Sequence, residues 1–173
     1  NFTMGLKPGS QTWVEVEAST DLVTWTAVGA LLSTNDTSTF SVPFKPASTR
    51  AEVFRIKSAP KAIDDLESRW NSQGLESYSF TIRKITFEQA LQAEVTVTNG
   101  IKTILRVVDP ISGTELTDYD PAAFPSIAEL FALLRQAGQD GVYHATALYQ
   151  IGLNYPREII IRRVSGIEDQ LQK

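Results

Sequence analysis

Cysteine is absent from the 173 residues, and histidine occurs once, at His144. Disulfides, thiolate nucleophiles, iron–sulfur clusters and Cys-ligated zinc are therefore excluded, as is any centre that needs two histidines. A basic excess is absent too. Lys and Arg number 16 against 20 Asp and Glu, a net charge of −4, so nucleic acid is not an expected partner. No run approaches the ~20 apolar residues of a membrane-spanning helix. Gly-x-Ser-x-Gly, Walker A and Gly-x-Gly-x-x-Gly are missing, which removes the familiar nucleophile and phosphate-loop signatures. No catalytic residue, metal ligand or cofactor is expected. What remains is 42% hydrophobic and 21% charged, the composition of a folded chain of one ordinary domain or two small ones.

Residues 1–58 read as a small all-β module, an antiparallel sandwich. Residues 13–18, 25–32, 39–44 and 53–57 are rich in strand formers, and Phe2-Thr3-Met4 adds a further short run. Turn-forming clusters separate them at Pro8-Gly9-Ser10, Ser19-Thr20-Asp21, Ser33 to Asp36 and Pro46-Ala47-Ser48. That spacing favours a sandwich or small barrel. Asp21 is suited to accept from backbone amides in a tight turn, with Trp25 folding back on the hairpin.

The hydrophobic period changes after Lys57, and residues 59–173 read as an α+β domain. Ser58-Ala59-Pro60 suits a helix start, Ile63, Leu66 and Trp70 follow at helical spacing, and Gly74 suits the stop. Tyr78, Phe80 and Ile82 alternate with Ser79, Thr81 and Arg83, as on a half-buried strand. Residues 93–98 and 101–108 flank Asn99-Gly100, a two-residue hairpin turn. Ser126 and Glu129 have capping-box spacing ahead of Ile127, Leu130, Phe131 and Leu134, and Gly138 is read as the helix end. Residues 142–151 and 158–164 are the last strands. The expected order is α-β-β-β-α-β-β, two helices packed on a mostly antiparallel five-stranded sheet. A junction this short predicts that the β module docks on the first helix, around Ile63 and Trp70.

Few residues bear chemistry. Asp109, Glu115, Asp118 and Asp120 lie in one acidic loop without EF-hand spacing, which reads as solvated rather than Ca²⁺-binding. His144 lies on a strand with no identifiable triad partner. Arg83-Lys84 and Arg162-Arg163 would form an anion-binding face if their strands were neighbours, and Tyr149 and Tyr155 flank the Gly152 turn. Tyr149, Tyr155, Arg83 and Arg162 are therefore the candidate contact surface. Asn1-Phe2-Thr3 and Asn35-Asp36-Thr37 fit the glycosylation sequon.

Two resemblances bear on location. Ser19 to Trp25 resembles the Asp-box hairpin of sialidases, lacking one residue and its Gly. Glu17, Ser19, Asp21, Leu22 and Trp25 with Phe54, Arg55 and Ile56 look closer to β modules in large surface proteins of Verrucomicrobia-like bacteria. Further on stand Ser77-Tyr78-Ser79-Phe80-Thr81, Val95 to Gly100, Pro125 to Phe131 and Gly152 to Ile159. In that order they resemble a bacterial family of unknown function, often lipoprotein-like or secreted, over residues 63–169. The family's Cys pair is replaced by Thr86 and Glu88 around Phe87. These resemblances imply an extracytoplasmic chain, in the periplasm, at the cell surface or secreted, with a leader upstream of Asn1. The expected function is a noncatalytic binding or inhibitory module with a protein or glycan partner in the envelope. An enzyme of unrecognised type, carbohydrate-acting among the options, is the alternative.

Overall fold

The computed structural model describes residues 2–6, 12–33, 38–42, 52–85, 89–140 and 143–163. In chain order these form β1 (Phe2–Leu6), β2 (Thr12–Ser19), β3 (Thr26–Ser33), β4 (Ser38–Val42), β5 (Val53–Ser58) and α1 (Ala62–Asn71). There follow β6 (Ser77–Ile85), β7 (Ala90–Thr98), β8 (Ile101–Val108), α2 (Ile127–Asp140), β9 (Tyr143–Tyr149) and β10 (Pro156–Arg163). The turns expected at Pro8 to Ser10 and 46–48, most of that at 33–36, both sequon asparagines and Thr86 to Glu88 lie outside the described residues.

The architecture is mostly β with two helices, and every strand pairing is antiparallel among the described residues. The α-β-β-β-α-β-β order after residue 59 is observed. Its five strands do not share one sheet, however. β6-β7-β8 form a three-stranded sheet, whereas β10-β9-β3-β2-β5 form a five-stranded one and β1 pairs with β4. β9 bonds to β3 through Gly29↔Leu148, Ala30↔Ala147 and Leu31↔Thr146. The antiparallel sandwich expected of residues 1–58 is not a sheet system of its own, because β2, β3 and β5 share one sheet with β9 and β10. The chain forms two compact units, residues 1–70 with 131–173, and residues 71–130.

In the first unit, alternation along β2 puts Trp13, Glu15 and Glu17 on one face and Val14, Val16 and Ala18 on the other. The second face carries an apolar cluster of Val16, Ala18, Val28, Leu31 and Leu148, with Val14 and Phe54 packed on it. A bulge between Val16 and Glu17 leaves Val28 without a direct partner on β2 and lets it join that cluster. The first face is covered by helix. Ala59 donates to the Trp13 carbonyl at 3.0 Å, and Ile63, Leu66 and Trp70 of α1 are buried. The helix begins at Ala62, later than the Ser58 start expected, and Gly74 stops it at φ 64.

Gly138 does not end α2, which runs on to Asp140. Its missing side chain makes room instead for the Trp13 indole. A Cβ built there would sit 2.8 Å from Trp13 Nε1, and that ring is buried. Alanine ordinarily gains up to about 1 kcal/mol over glycine inside a helix. Here overpacking opposes it by roughly 1–3 kcal/mol. Gly138→Ala is expected to lower stability on balance, and a urea melt that shows a gain would mean the indole yields freely.

In the second unit, β6 and β7 pair without interruption from Ser77↔Thr98 to Ile85↔Ala90. Asn99 and Gly100 at φ 50 and 78 close β7 onto β8 as the two-residue turn the sequence predicts. The inward face, Ala93, Val95 and Val107, packs on Phe124 with Phe80, Ile82, Leu116 and Tyr119. The capping box is formed: the Ser126 amide donates to Glu129 at 2.6 Å and the Glu129 amide donates to Ser126 Oγ at 3.3 Å.

Candidate functional site

The four residues expected to form a contact surface are placed as follows. Tyr149, on β9, is buried, and its hydroxyl makes no hydrogen bond. Burial and the nearby charge of Glu15 push that phenol well above its ordinary range. Tyr155 is half-buried and meets Trp70 edge-on, ring centroids 5.7 Å apart. Arg83 lies exposed on β6. Arg162 lies on β10 opposite His144, and the side chains of both fall outside the described residues. β6 and β10 belong to different sheets, so the condition for one shared basic face is not met.

The sequence reading missed a charged ladder on the helix-covered face of the first unit. Glu15 and Glu17 are buried on β2. Their cross-strand partners on β5 are Lys57 and Arg55. Arg55 Nε lies 2.6 Å and Lys57 Nζ 2.7 Å from Glu17, while Lys57 lies 3.0 Å and Arg69 of α1 3.3 Å from Glu15. Burial alone would raise the Glu17 carboxyl. Hydrogen bonds from Lys57 and Arg55 outweigh it and hold the group below its ordinary value. Hydrogen bonds to Glu17 and Glu15 in turn hold Lys57 above its ordinary value. An acid kept ionised in this way is poorly suited to donate a proton to a leaving group, as a glycosidase acid must. The ladder fastens β5 and α1 to β2.

A cleft of about 260 Å³ opens between the start of α1 and the end of α2, lined by Trp13, Leu32, Pro60, Ile63 and Gly138, with Arg135 at its rim. Arg135 is engaged by Glu67 and, at 3.6 Å, by Asp64, so its guanidinium is committed to α1. In the acidic loop, Asp109 accepts from the Ile111 amide at 2.7 Å, which holds its carboxyl below the usual range. Asp120 accepts from the Ala122 amide at 2.9 Å, and Glu115 pairs with Arg106 at 3.3 Å. These acids are used in turns and pairs. Among the described residues no three His, Asp or Glu side chains converge as a metal set.

The remaining candidate is the outward face of the three-stranded sheet. Strand register aligns Ser77, Thr98 and Ile101 in one row, Ser79, Thr96 and Thr103 in the next, then Thr81, Glu94 and Arg106, then Arg83, Gln92 and Val108. Neighbouring strands stand ~4.8 Å apart and alternate residues ~6.8 Å, so hydroxyls are spaced along the face with charged groups at one end, interrupted by a bulge that leaves Leu105 unpaired and exposed beside exposed Ile101. Ser79 and Thr96 hydroxyls are 3.0 Å apart. Such an array exchanges water for the hydroxyls or amides of a ligand without burying an unpaired group. The alternation of β6 was legible in the sequence, whereas the rows depend on register.

Residues 62–171 match the model of a family described as a family of unknown function (DUF6174), and the chain belongs to that family. No curated protein and no solved structure matches it.

Proposed function

We propose that this DUF6174 member is a noncatalytic extracytoplasmic binding or inhibitory module, in the periplasm, at the cell surface or secreted. Its contact surface is the outward hydroxyl face of β6, β7 and β8, with Arg83 at one end, and its partner is an envelope glycan or protein. The observation that carries this reading is the set of rows Ser77–Thr98 and Ser79–Thr96–Thr103, exposed or half-exposed on an antiparallel sheet. The resemblance of residues 17–56 to surface-protein modules supports the location.

The test is co-sedimentation of the full chain with insoluble cell-wall polysaccharide and with washed envelope protein, wild type against Ser79→Glu/Thr103→Glu. Both sites are exposed, so stability is expected to change within about 0.5 kcal/mol per site. Retention is expected to fall about tenfold, a loss of ~1.4 kcal/mol of binding. Retention that ignores the pair of substitutions, turnover of the bound polysaccharide, or fractionation wholly to the cytosol would each overturn the reading.

A further inference from the structure

The five-stranded sheet of the first unit ends on β5 at one side and on β10 at the other. The two edges differ. On β5, Arg55 and Lys57 are taken up by the glutamates of β2. On β10, Ile160 at 40% exposure and Ile161 at 37% are consecutive, so they lie on opposite faces and both faces of the edge are open. On the neighbouring β9, Ala145, Ala147 and Leu148 are buried. Exposure alone selects no partner, since Ile101 and Leu105 on β8 are more exposed. The arrangement of charge along β10 does select one.

Among the described strands at a sheet edge, β5, β6 and β8 carry cations and no acid, and β1 and β4 carry no charge. Only β10 has both signs, as Glu158-Ile159-Ile160-Ile161-Arg162 between Arg157 and Arg163. Glu158 is exposed and makes no ion pair among the described residues. Only alternate residues of a strand turn their N–H and C=O toward a given edge. Two copies of one strand therefore pair antiparallel only where opposed residues are an even number of positions apart. The registers that overlap the apolar run are centred on Ile159, Ile160 or Ile161. The first sets Glu158 against Ile160, and the last sets Arg162 against Ile160. The register centred on Ile160 sets Glu158 against Arg162 and Ile159 against Ile161, each twice by symmetry. It alone matches acid with base and apolar with apolar. It also brings Arg157 level with Arg163, but Arg157 is the bulged residue without a partner on β9, so the ladder ends before it.

We propose that β10 pairs antiparallel with β10 of a second copy of this chain, centred on Ile160, so that two five-stranded sheets join into one. Unpaired N–H and C=O groups on an edge are a template for another strand, and charges on that edge ordinarily deter the pairing. Here the charges favour one register and oppose its neighbours. Self-matching decides for a second copy over a foreign strand. A two-fold interface must be complementary to itself, and the charge order of β10 is. The joined edge also covers Ile160 on one face and Ile161 on the other.

The experiment is sedimentation velocity of the full chain over about a hundredfold range of concentration. Expected is a reversible shift from monomer to dimer as concentration rises. Glu158→Arg and Arg162→Glu each oppose like charges twice across the interface, and each should weaken self-association about tenfold. An equimolar mixture of the two variants restores both ion pairs, so it should dimerise about as well as the wild type. The combined Glu158→Arg/Arg162→Glu chain should do the same. Recovery on mixing separates pairing from folding, because a misfolded variant would not be rescued. A chain that stays monomeric throughout, association that the single reversals leave unchanged, or loss without recovery in the mixture would each overturn the proposal. Ser79→Glu/Thr103→Glu should leave dimerisation untouched, so this inference and the proposed hydroxyl face fail separately.

Discussion

Phe124→Ala is expected to be the most damaging single substitution in the second unit, at about 3–5 kcal/mol. Phe124 is fully buried and sits under Ala93, Val95 and Val107, with Tyr119 edge-on at 6.1 Å. A three-stranded sheet is independently stable only if one face is covered. In this unit, the segment after β8 supplies that cover through Leu116, Tyr119, Ala123 and Phe124. Truncating the ring removes the largest fully buried side chain of the cluster and leaves a cavity that the paired strands cannot easily close. At this chain length, each 1 kcal/mol shifts the melting temperature by roughly 2–4 °C, so a fall of roughly 6–20 °C is expected. Amide exchange should accelerate through β6, β7 and β8. Ile111→Ala, in the same segment but 86% exposed, should change stability by no more than about 0.5 kcal/mol. Equal effects of the two substitutions would mean that the loop does not close this core.

The local elements of that unit were legible because their signals are local. Asn99-Gly100 names a turn type, Ser126 and Glu129 name a helix start, and the alternation of Tyr78, Phe80 and Ile82 names a strand with one buried face. The distribution of strands among sheets was not legible. Nothing in Tyr143 to Tyr149 records that β3, more than a hundred positions earlier, is its neighbour. Such pairing is selected by topology and by whole faces, both global properties. Gly138 was misread for a related reason. A glycine late in a helical pattern resembles a stop, and only the indole of distant Trp13 reveals that it serves close packing.

The hydroxyl face and the β10 edge show the same division. Ser79 and Thr81 on one side of β6 were visible as solvent-facing residues, but their alignment with Thr96 and Glu94 needs the register. The strand from Glu158 onward was expected from its own residues. That it is the outer strand of its sheet follows only from the pairing of β9 with β3. The ladder lay between these cases. Glu15 and Glu17 alternate, and so do Arg55 and Lys57, a complementarity already present in the sequence. The helix itself was legible from Ile63, Leu66 and Trp70, but that it lies over these glutamates, with Arg69 reaching Glu15, depends on tertiary packing.

That ladder predicts an inverted pH response. Arg55→Met/Lys57→Met leaves Glu17 buried without a cation, while Glu15 keeps Arg69. Removing one side of a buried pair costs about 3–5 kcal/mol. The removed cations were half-exposed, so water can reach part of the site and the low end, about 3 kcal/mol at neutral pH, is expected. Glu17→Met should cost only about 1 kcal/mol, since half-exposed cations can turn to solvent. In the wild type, Glu17 is held below its ordinary value. Its contribution is present above the unfolded carboxyl range near ~4.3 and is lost as pH falls through the lower folded value. In the double variant, burial is left to dominate and raises the folded value. The neutral acid then favours the folded state, and stability rises as pH falls through that raised value. Urea melts between neutrality and mild acid read the difference directly. The wild type should hold level and then weaken, whereas the double variant should recover part of its loss. A double variant that weakens in parallel with the wild type, or that costs no more than Glu17→Met, would show that the β2 carboxylates reach water without their partners.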